Sequence, residues 1–416
     1  MSEHHTPLDL VRLRPVDGPV ACARPDRLAV ASRWFQEHFP GEVLYAVKAN
    51  PSPWVIDKLY AAGHRWFDVA ALPEIELITS RCPEATMAFM HPVKSRRAIA
   101  SAYHDHGVKI FVLDCEAELQ KILQETGYAR DLTLVVRLAV SNDGATLPLA
   151  GKFGATEAEA PDLIRLARAH AFELGVSFHV GSQCMAPSAY RAAMMEASRL
   201  IARAGVTVDI VDVGGGFPSI YPGMTPPPLE DYVRAIENAF EDMMVLENAD
   251  LWCEPGRALV AEAVSVLTRV ELVKGDAVYM NDGSYGCLFD IVHARWNYPM
   301  RVHRANGGLS PQTAPFKLYG PTCDSIDSMP GPYDLPADLR EGDVIEFGML
   351  GAYGTAMATR FNGFGDVETV TVSDYPWHSL YDQPVLASPE REQQSEGSVV
   401  PFTRLRRRRQ RLIKRR

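Results

Sequence analysis

No apolar run in this 416-residue chain reaches the roughly 20 residues that a membrane-spanning helix needs. The opening "MSEHHTPLDL" lacks the apolar core of an export signal. Cysteine is sparse: seven scattered residues, an odd number, argue against a disulfide framework and suit reduced thiols in the cytoplasm. There is no internal repeat. Basic charge is in short supply except at one place. Residues 404–416, "RLRRRRQRLIKRR", hold nine Lys or Arg and no acid, and setting them aside takes the net charge from −10 to −19. A body that acidic argues against nucleic acid as the ligand of the main fold.

What is present is the composition of a soluble globular protein, 47% hydrophobic and 23% charged. Apolar runs at 43–47, 65–69, 86–90, 109–113, 132–139, 176–180, 208–213 and 250–254 alternate with helical patterns such as "PSPWVIDKLYAAG" and "EAEAPDLIRLARAHAFELG". Eight strands separated by helices predict an α/β fold, a (β/α)8 TIM barrel; a doubly wound open sheet is the alternative. After residue 260 the texture changes. "AVSVLTRVELVKG", "DAVYMNDGSYG" and "GDVIEFGMLGAYG" read as strands with Gly, Asn and Asp turns, which predicts a mainly β C-terminal domain. The expected organisation is an N-terminal segment (1–25), whose "VDGPVACARP" lends a strand to the β domain, a barrel (26–260), the β domain (261–384), and a polar linker with the basic tail (385–416). For the tail, a solvated extension is preferred over contact with a polyanion.

Barrel enzymes place their chemistry at the C-terminal ends of the strands. Lys48, in "YAVKANP", ends the first strand and Asp68 ends the second. "FHVGSQ" presents His179 and Ser182 after the sixth. "VDVGGGFP" presents Gly214, Gly215 and Gly216 after the seventh. "CEPGRALV" presents Glu254, Gly256 and Arg257 after the eighth. Singly, each has a bland reading: a strand-end lysine cap, a tight turn, a rim ion pair, a core histidine. Together on one rim they suit pyridoxal phosphate. A lysine forms the imine, glycines and an arginine hold the phosphate, and a buried acid meets the ring nitrogen.

From about residue 20 to 365 the motifs "YAVKANP", "FDVAALPEIEL", "KFG", "FHVGSQC", "DVGGGFP", "EPGR", "YGPTCDSID" and "GAYGTAMATRFNGFG" follow in order. In that order the chain resembles the barrel-type (fold type III, alanine-racemase-like) pyridoxal-phosphate enzymes, in the branch of ornithine, diaminopimelate and arginine decarboxylases. The resemblance implies that Lys48 carries the cofactor, His179 stacks on its ring and Glu254 holds the pyridine nitrogen. Ser182, Gly214, Gly215, Gly216, Gly256, Arg257 and Tyr353 would hold the phosphate. Asp68, Glu74 and Arg137 would support the lysine and cofactor. Cys323 would donate the proton and Asp324 would receive the distal amine, with Asp290 as a second substrate acid and Tyr353 close by. Both Cys323 and Asp324 would come from a partner subunit, which implies a homodimer with shared sites. No metal is implied. The Gly-rich loop 141–154 reads as a lid.

Diaminopimelate decarboxylases usually show Cys-Glu-Ser where this chain has Cys323-Asp324-Ser325. The aspartate suits a bare ammonium, and "FNGF" (361–364) is similar to the ornithine branch. The implied activity is conversion of L-ornithine to putrescine and CO2, a step of polyamine biosynthesis. The alternatives are a lysine or dual lysine/ornithine decarboxylase giving cadaverine, a diaminopimelate decarboxylase, and an inactive relative that binds a regulator. A racemase would need a catalytic tyrosine and lack "PTCDS", and a simple cofactor carrier would lack the β domain.

Overall fold

The computed structural model describes residues 3–381, apart from 142–143, 148–150, 244 and 246–247. The expected linker and basic tail, 385–416, lie outside the described residues. Nineteen strands are described. β1 (Glu3–His4) and β2 (Val20–Ala23) precede the first long helix, Pro25–His38. Then come β3 (Glu42–Ala46), β4 (Trp66–Val69), β5 (Thr86–Phe89), β6 (Ile110–Leu113), β7 (Thr133–Arg137), β8 (Ala145–Leu147), β9 (Glu173–Ser177), β10 (Ser182–Cys184), β11 (Ile210–Asp212) and β12 (Asp250–Cys253). Seven more follow: β13 (Val264–Lys274), β14 (Ala277–Met280), β15 (Met300–His303), β16 (Thr313–Tyr319), β17 (Ser328–Pro336), β18 (Val344–Phe347) and β19 (Glu368–Val372).

Strands β3, β4, β5, β6, β7, β9, β11 and β12 close into a parallel barrel, with β12 pairing back onto β3. The open sheet is thereby excluded. Parallel strands covered on both faces read as unbroken apolar runs, and "IFVL" of β6 is buried at all four positions. Leu44, Ala88, Ile110, Val112, Val135, Ile210 and Trp252 pack as one cluster, separate from the larger core beneath the helices. That is the layered filling of a barrel interior. Helix starts follow local chemistry: Pro25 opens the helix Pro25–His38, and Ser95 caps Arg96–His104 by accepting from the Ala98 N–H.

One strand differs from expectation. The sixth barrel strand runs over 173–177, three residues earlier than the expected 176–180, and the preceding helix stops at Arg168. Gly175 reads as a helix stop in "FELG". In fact it sits inside β9, where an added Cβ would lie 3.1 Å from Val135 Cγ2 and 3.2 Å from Ile210 Cβ. A side chain there would press on two neighbours in the barrel wall.

In the β domain, β13 pairs with β2, β14 and β18, while β2 lies between β13 and β19, with β1 beyond β19. The first and last strands of the described chain thus share one sheet. Residues 374–381 then cross to the barrel as a strap. Asp374 accepts from Arg24, Ser379 accepts from Arg27 Nη2 at 2.8 Å, Leu380 N–H donates to Glu262, and Tyr381 OH donates to the Ala258 carbonyl at 2.6 Å.

Candidate active site

Lys48 stands in a tight turn, Val47–Ala49, directly after β3. Its Nζ lies 2.7 Å from Asp68 Oδ2 on neighbouring β4. Asp68 is 1% exposed, whereas the Lys48 side chain keeps 44% exposure and faces the barrel mouth. Desolvation works against the ammonium, but the charges of Asp68 and Glu254 outweigh it and push its pKa up. Solvent at the exposed end weakens both influences. Tyr353 ties the β domain to this turn, its N–H donating to the Ala49 carbonyl at 2.9 Å. Glu74 secures the loop after β4 by accepting from the Ala70 N–H at 2.6 Å; burial pushes its carboxyl up.

The glycine turn follows β11. Gly214 and Gly216 have φ of +69° and +100°. A Cβ on Gly214 would fall 2.1 Å from the Phe178 carbonyl oxygen, and one on Gly215 would meet the Glu254 carbonyl at 2.7 Å and His179 Nε2 at 3.1 Å. Only glycine fits this cradle. His179 Nδ1 accepts from the Gly181 N–H at 2.9 Å. Burial, aided by the charges of Arg137 and Lys48, lowers its pKa to about 3, so the ring is neutral. Arg137 ends β7, with its guanidinium over the Phe153 ring, and half-buried Ser182 begins β10. Gly256 lies against Ala46 and Ala49, where its added Cβ would come within 3.1 Å of Ala49 Cβ.

Glu254 follows β12 and is buried beside Asp212 of β11. Burial pushes both carboxyls up, and the charge of Asp212 adds to the rise at Glu254. Asp212 Oδ1 also accepts the Gly214 N–H at 2.8 Å. Sequence reasoning missed Asp212, although an acid at the end of the strand "IVD", two positions before the first of three glycines, was the available signal.

Arg257 is the other surprise. The rim pair with Glu254 is not formed; Arg257 Nη2 bonds Asp290 Oδ2 at 2.9 Å. Its Nη1 donates to Tyr221 OH at 2.9 Å, and the rings of Trp296 and Tyr353 lie 4.5 and 5.0 Å from the guanidinium. Tyr298 OH reaches the same Asp290 oxygen at 3.4 Å. Asp290, expected as a substrate acid, therefore contacts Arg257 and Tyr298 in this chain. Tyr221, Trp296 and Tyr298 carry no motif signal, because an aromatic wall looks like core in sequence.

Cys323 and Asp324 lie elsewhere, on the loop between β16 and β17, Cys323 exposed and Asp324 half-buried. The Cys323 N–H donates to Asn362 Oδ1 at 3.1 Å, and Asp324 Oδ2 accepts from Tyr285 OH at 2.6 Å. That hydrogen bond holds the Asp324 pKa down. Among the described residues, none of their hydrogen bonds reaches the Lys48 cluster. The expected lid is only partly described; β8 within it pairs with β10.

The barrel residues fit pyridoxal phosphate by one test that is independent of motifs. Glu254 Oε1 is buried and, among the described residues, has no hydrogen-bond partner. A protonated ring nitrogen is the kind of donor it lacks. A lysine held by an acid at a barrel mouth, with a glycine cradle and a boxed arginine, defines an enzyme that works through a phosphorylated aldehyde cofactor.

Comparison with known proteins agrees. Residues 27–261 match the family described as "Pyridoxal-dependent decarboxylase, pyridoxal binding domain", and the chain belongs to that family. It is a pyridoxal-phosphate-dependent carboxy-lyase. It is 32% identical to the lysine/ornithine decarboxylase of Selenomonas ruminantium, over 86% of this chain and 90% of that one. It is 32% identical to the ornithine decarboxylase of Caenorhabditis elegans, over 84% and 86%. The crystal structure of lysine decarboxylase from Selenomonas ruminantium superposes with a TM-score of 0.76 at 30% identity, covering 88% of this chain and 94% of that one. Among the described residues no helix is long and apolar enough to cross a membrane.

Proposed function

We propose that the chain decarboxylates a basic L-amino acid, with L-ornithine preferred over L-lysine, releasing putrescine and CO2. Relatives named for ornithine and lysine support the class. The observation that carries the choice of a bare-ammonium substrate, ornithine or lysine rather than diaminopimelate, is Asp324. Its short side chain is fixed by Tyr285 and by the Ile326 N–H, and its lowered pKa keeps it anionic. A compact anion suits a bare ammonium, whereas the amino-acid centre of diaminopimelate would bring a second carboxylate against it.

Bound pyridoxal phosphate supplies the electron sink for the pair left on the substrate's Cα when CO2 departs. The chain's residues do the rest. Lys48 is the attachment point, and Asp68, 2.7 Å from Nζ, orients it. Glu254 keeps the ring nitrogen protonated, and Asp212 holds Glu254 in place. His179, neutral, would stack on the cofactor's ring. Ser182, Gly214, Gly215, Gly216, Gly256, Arg257 and Tyr353 hold the phosphate, with Asp290 orienting Arg257. Arg137 and Glu74 brace the rim. A second copy of the chain brings Cys323 and Asp324 to this pocket, so the working unit is a homodimer. Cys323 delivers a proton to Cα from one side, and Asp324 receives the distal ammonium.

Product analysis with ornithine, lysine, arginine and meso-diaminopimelate in parallel tests the reading. Putrescine from ornithine with the highest kcat/KM supports it. Faster turnover of lysine reassigns the substrate, and preferred use of diaminopimelate overturns the role given to Asp324. No amine from any of the four overturns the catalytic reading.

A further inference from the structure

We propose that Gln183 is a positioning residue that locks the glycine turn in the shape that receives the cofactor's phosphate. The inference rests on the assignment of Gly214, Gly215 and Gly216 to that phosphate.

Gln183 is the central residue of β10, 1% exposed, yet its φ is +54°. The left-handed region is unfavourable for any residue with a Cβ. Glycine would adopt it freely, so a chain that needed only the backbone bend here would do better with glycine. What the glutamine adds is its amide. Nε2 donates to the Ser219 carbonyl at 2.5 Å and Oε1 accepts the Ser219 N–H at 3.0 Å. The side chain thus pairs with the backbone of Ser219 as one rung of a β-ladder would, three residues beyond Gly216. Buried amide bonds made in this way compensate the strained backbone.

The neighbours of Gln183 hold the same turn. The Cys184 N–H donates to the Gly216 carbonyl at 2.9 Å, and Tyr190 OH donates to the Gly215 carbonyl at 2.9 Å. Tyr232 OH in turn fixes the Cys184 carbonyl at 2.8 Å. Both glycine carbonyls, whose lone pairs would repel a phosphate, are therefore engaged by donors. The Gln183–Ser219 clamp closes the far end of the segment, so the turn cannot spread when a dianion enters.

The test compares two probes, pyridoxal phosphate and unphosphorylated pyridoxal, on the wild-type chain and on Gln183→Ala, Gln183→Gly and Gly215→Val. Equilibrium binding is read from the absorbance of the bound aldehyde. Gln183→Ala and Gln183→Gly are expected to weaken pyridoxal phosphate about tenfold, the effect of losing buried hydrogen bonds, while pyridoxal changes less than about twofold. The thermal midpoint of the cofactor-free protein should hold in the glycine variant, where backbone strain is relieved. Wild-type affinity in Gln183→Gly, with Gly215→Val impaired, overturns the clamp. Equal loss of both probes also overturns it, since a general structural defect does not distinguish them. Undiminished binding by Gly215→Val removes the turn from the phosphate site, and both the assignment and the clamp then fail.

Discussion

Asp68 and Asp324 are both aspartates expected to meet an amine, and their settings are opposite. Asp68 is 1% exposed on a barrel strand, with Lys48 already in its grasp. Asp324 is half-buried on a surface loop, aligned by Tyr285, with no amine at hand among the described residues. The same contrast runs through each half. Much of the barrel rim is buried, and its ionisable groups are forced from their ordinary pKa values: His179 downward, Glu254 and Asp212 upward. The Cys323 loop lies at the surface, and Asp324 is shifted downward by hydrogen bonds from the Tyr285 hydroxyl and the Ile326 N–H. A rim with fixed, desolvated charges suits holding one ligand in one pose. A loop with prepared but unengaged groups suits completion by another surface, as a homodimer would provide.

The comparison can be tested from both sides. The largest effect is expected at the rim. Lys48→Ala should lower kcat more than about 10³-fold, as loss of an attachment nucleophile does. Borohydride reduction of the wild-type chain should then place the cofactor label on the Lys48 peptide, and label on another lysine would move the centre of the site. Next is the loop. Cys323→Ala should lower kcat by about 10² to 10⁴, the range for a positioned proton donor. Pyridoxal phosphate affinity should not change, and part of the product should arise from misplaced protonation. Weakened cofactor binding in this variant would mean that the two halves are not separable.

Asp324→Glu should reduce kcat/KM for ornithine about tenfold, because one added methylene displaces the anion in a fitted pocket. An unchanged value would detach Asp324 from the substrate. The smallest expected effect is on stability. His64, buried between Tyr45 and Phe67, has its pKa lowered from 6.5 to about 4 by burial. Between those values the unfolded chain binds a proton that the folded one refuses, so stability falls as pH drops below 6.5. Going from pH 7.5 to 5 this single group should remove about 2 kcal/mol. His64→Phe should retain about that much more stability at pH 5 than the wild type does, relative to pH 7.5, by urea midpoints; parallel losses in both would exclude His64 as the acid-sensitive point.

Much of the barrel was legible in the sequence, because a parallel strand buried on both faces leaves an apolar run that no loop mimics. Lys48, Asp68 and the glycine turn were legible because chemistry at a strand's end interrupts such a run. β9 was misplaced because its glycine serves packing between Val135 and Ile210, and spacing alone cannot separate that from a helix stop. Asp212, Tyr221, Trp296 and Tyr298 were not legible as site residues. They act through other side chains, and only the closure of the barrel and the approach of the β domain bring those partners near. Asp290 was located but not its contact with Arg257, which depends on the same approach.

The sheet that unites β2 with β19 also bears on the timing of synthesis. Val20 pairs with Leu267 of β13 on one side and with Glu368 of β19 on the other. A ribosome therefore releases the whole barrel, β3 to β12, while β2 still has both edges open, and only after β19 and the 374–381 strap emerge can the domain be sealed. An open strand edge carried that long is a site for wrong pairing. Arrested nascent chains ending near residue 300 should show a protease-resistant barrel with residues 3–23 still cleavable. Early protection of that segment would mean that β13 alone secures it. In a chain assembled in one direction, the second strand to be made is among the last to be finished.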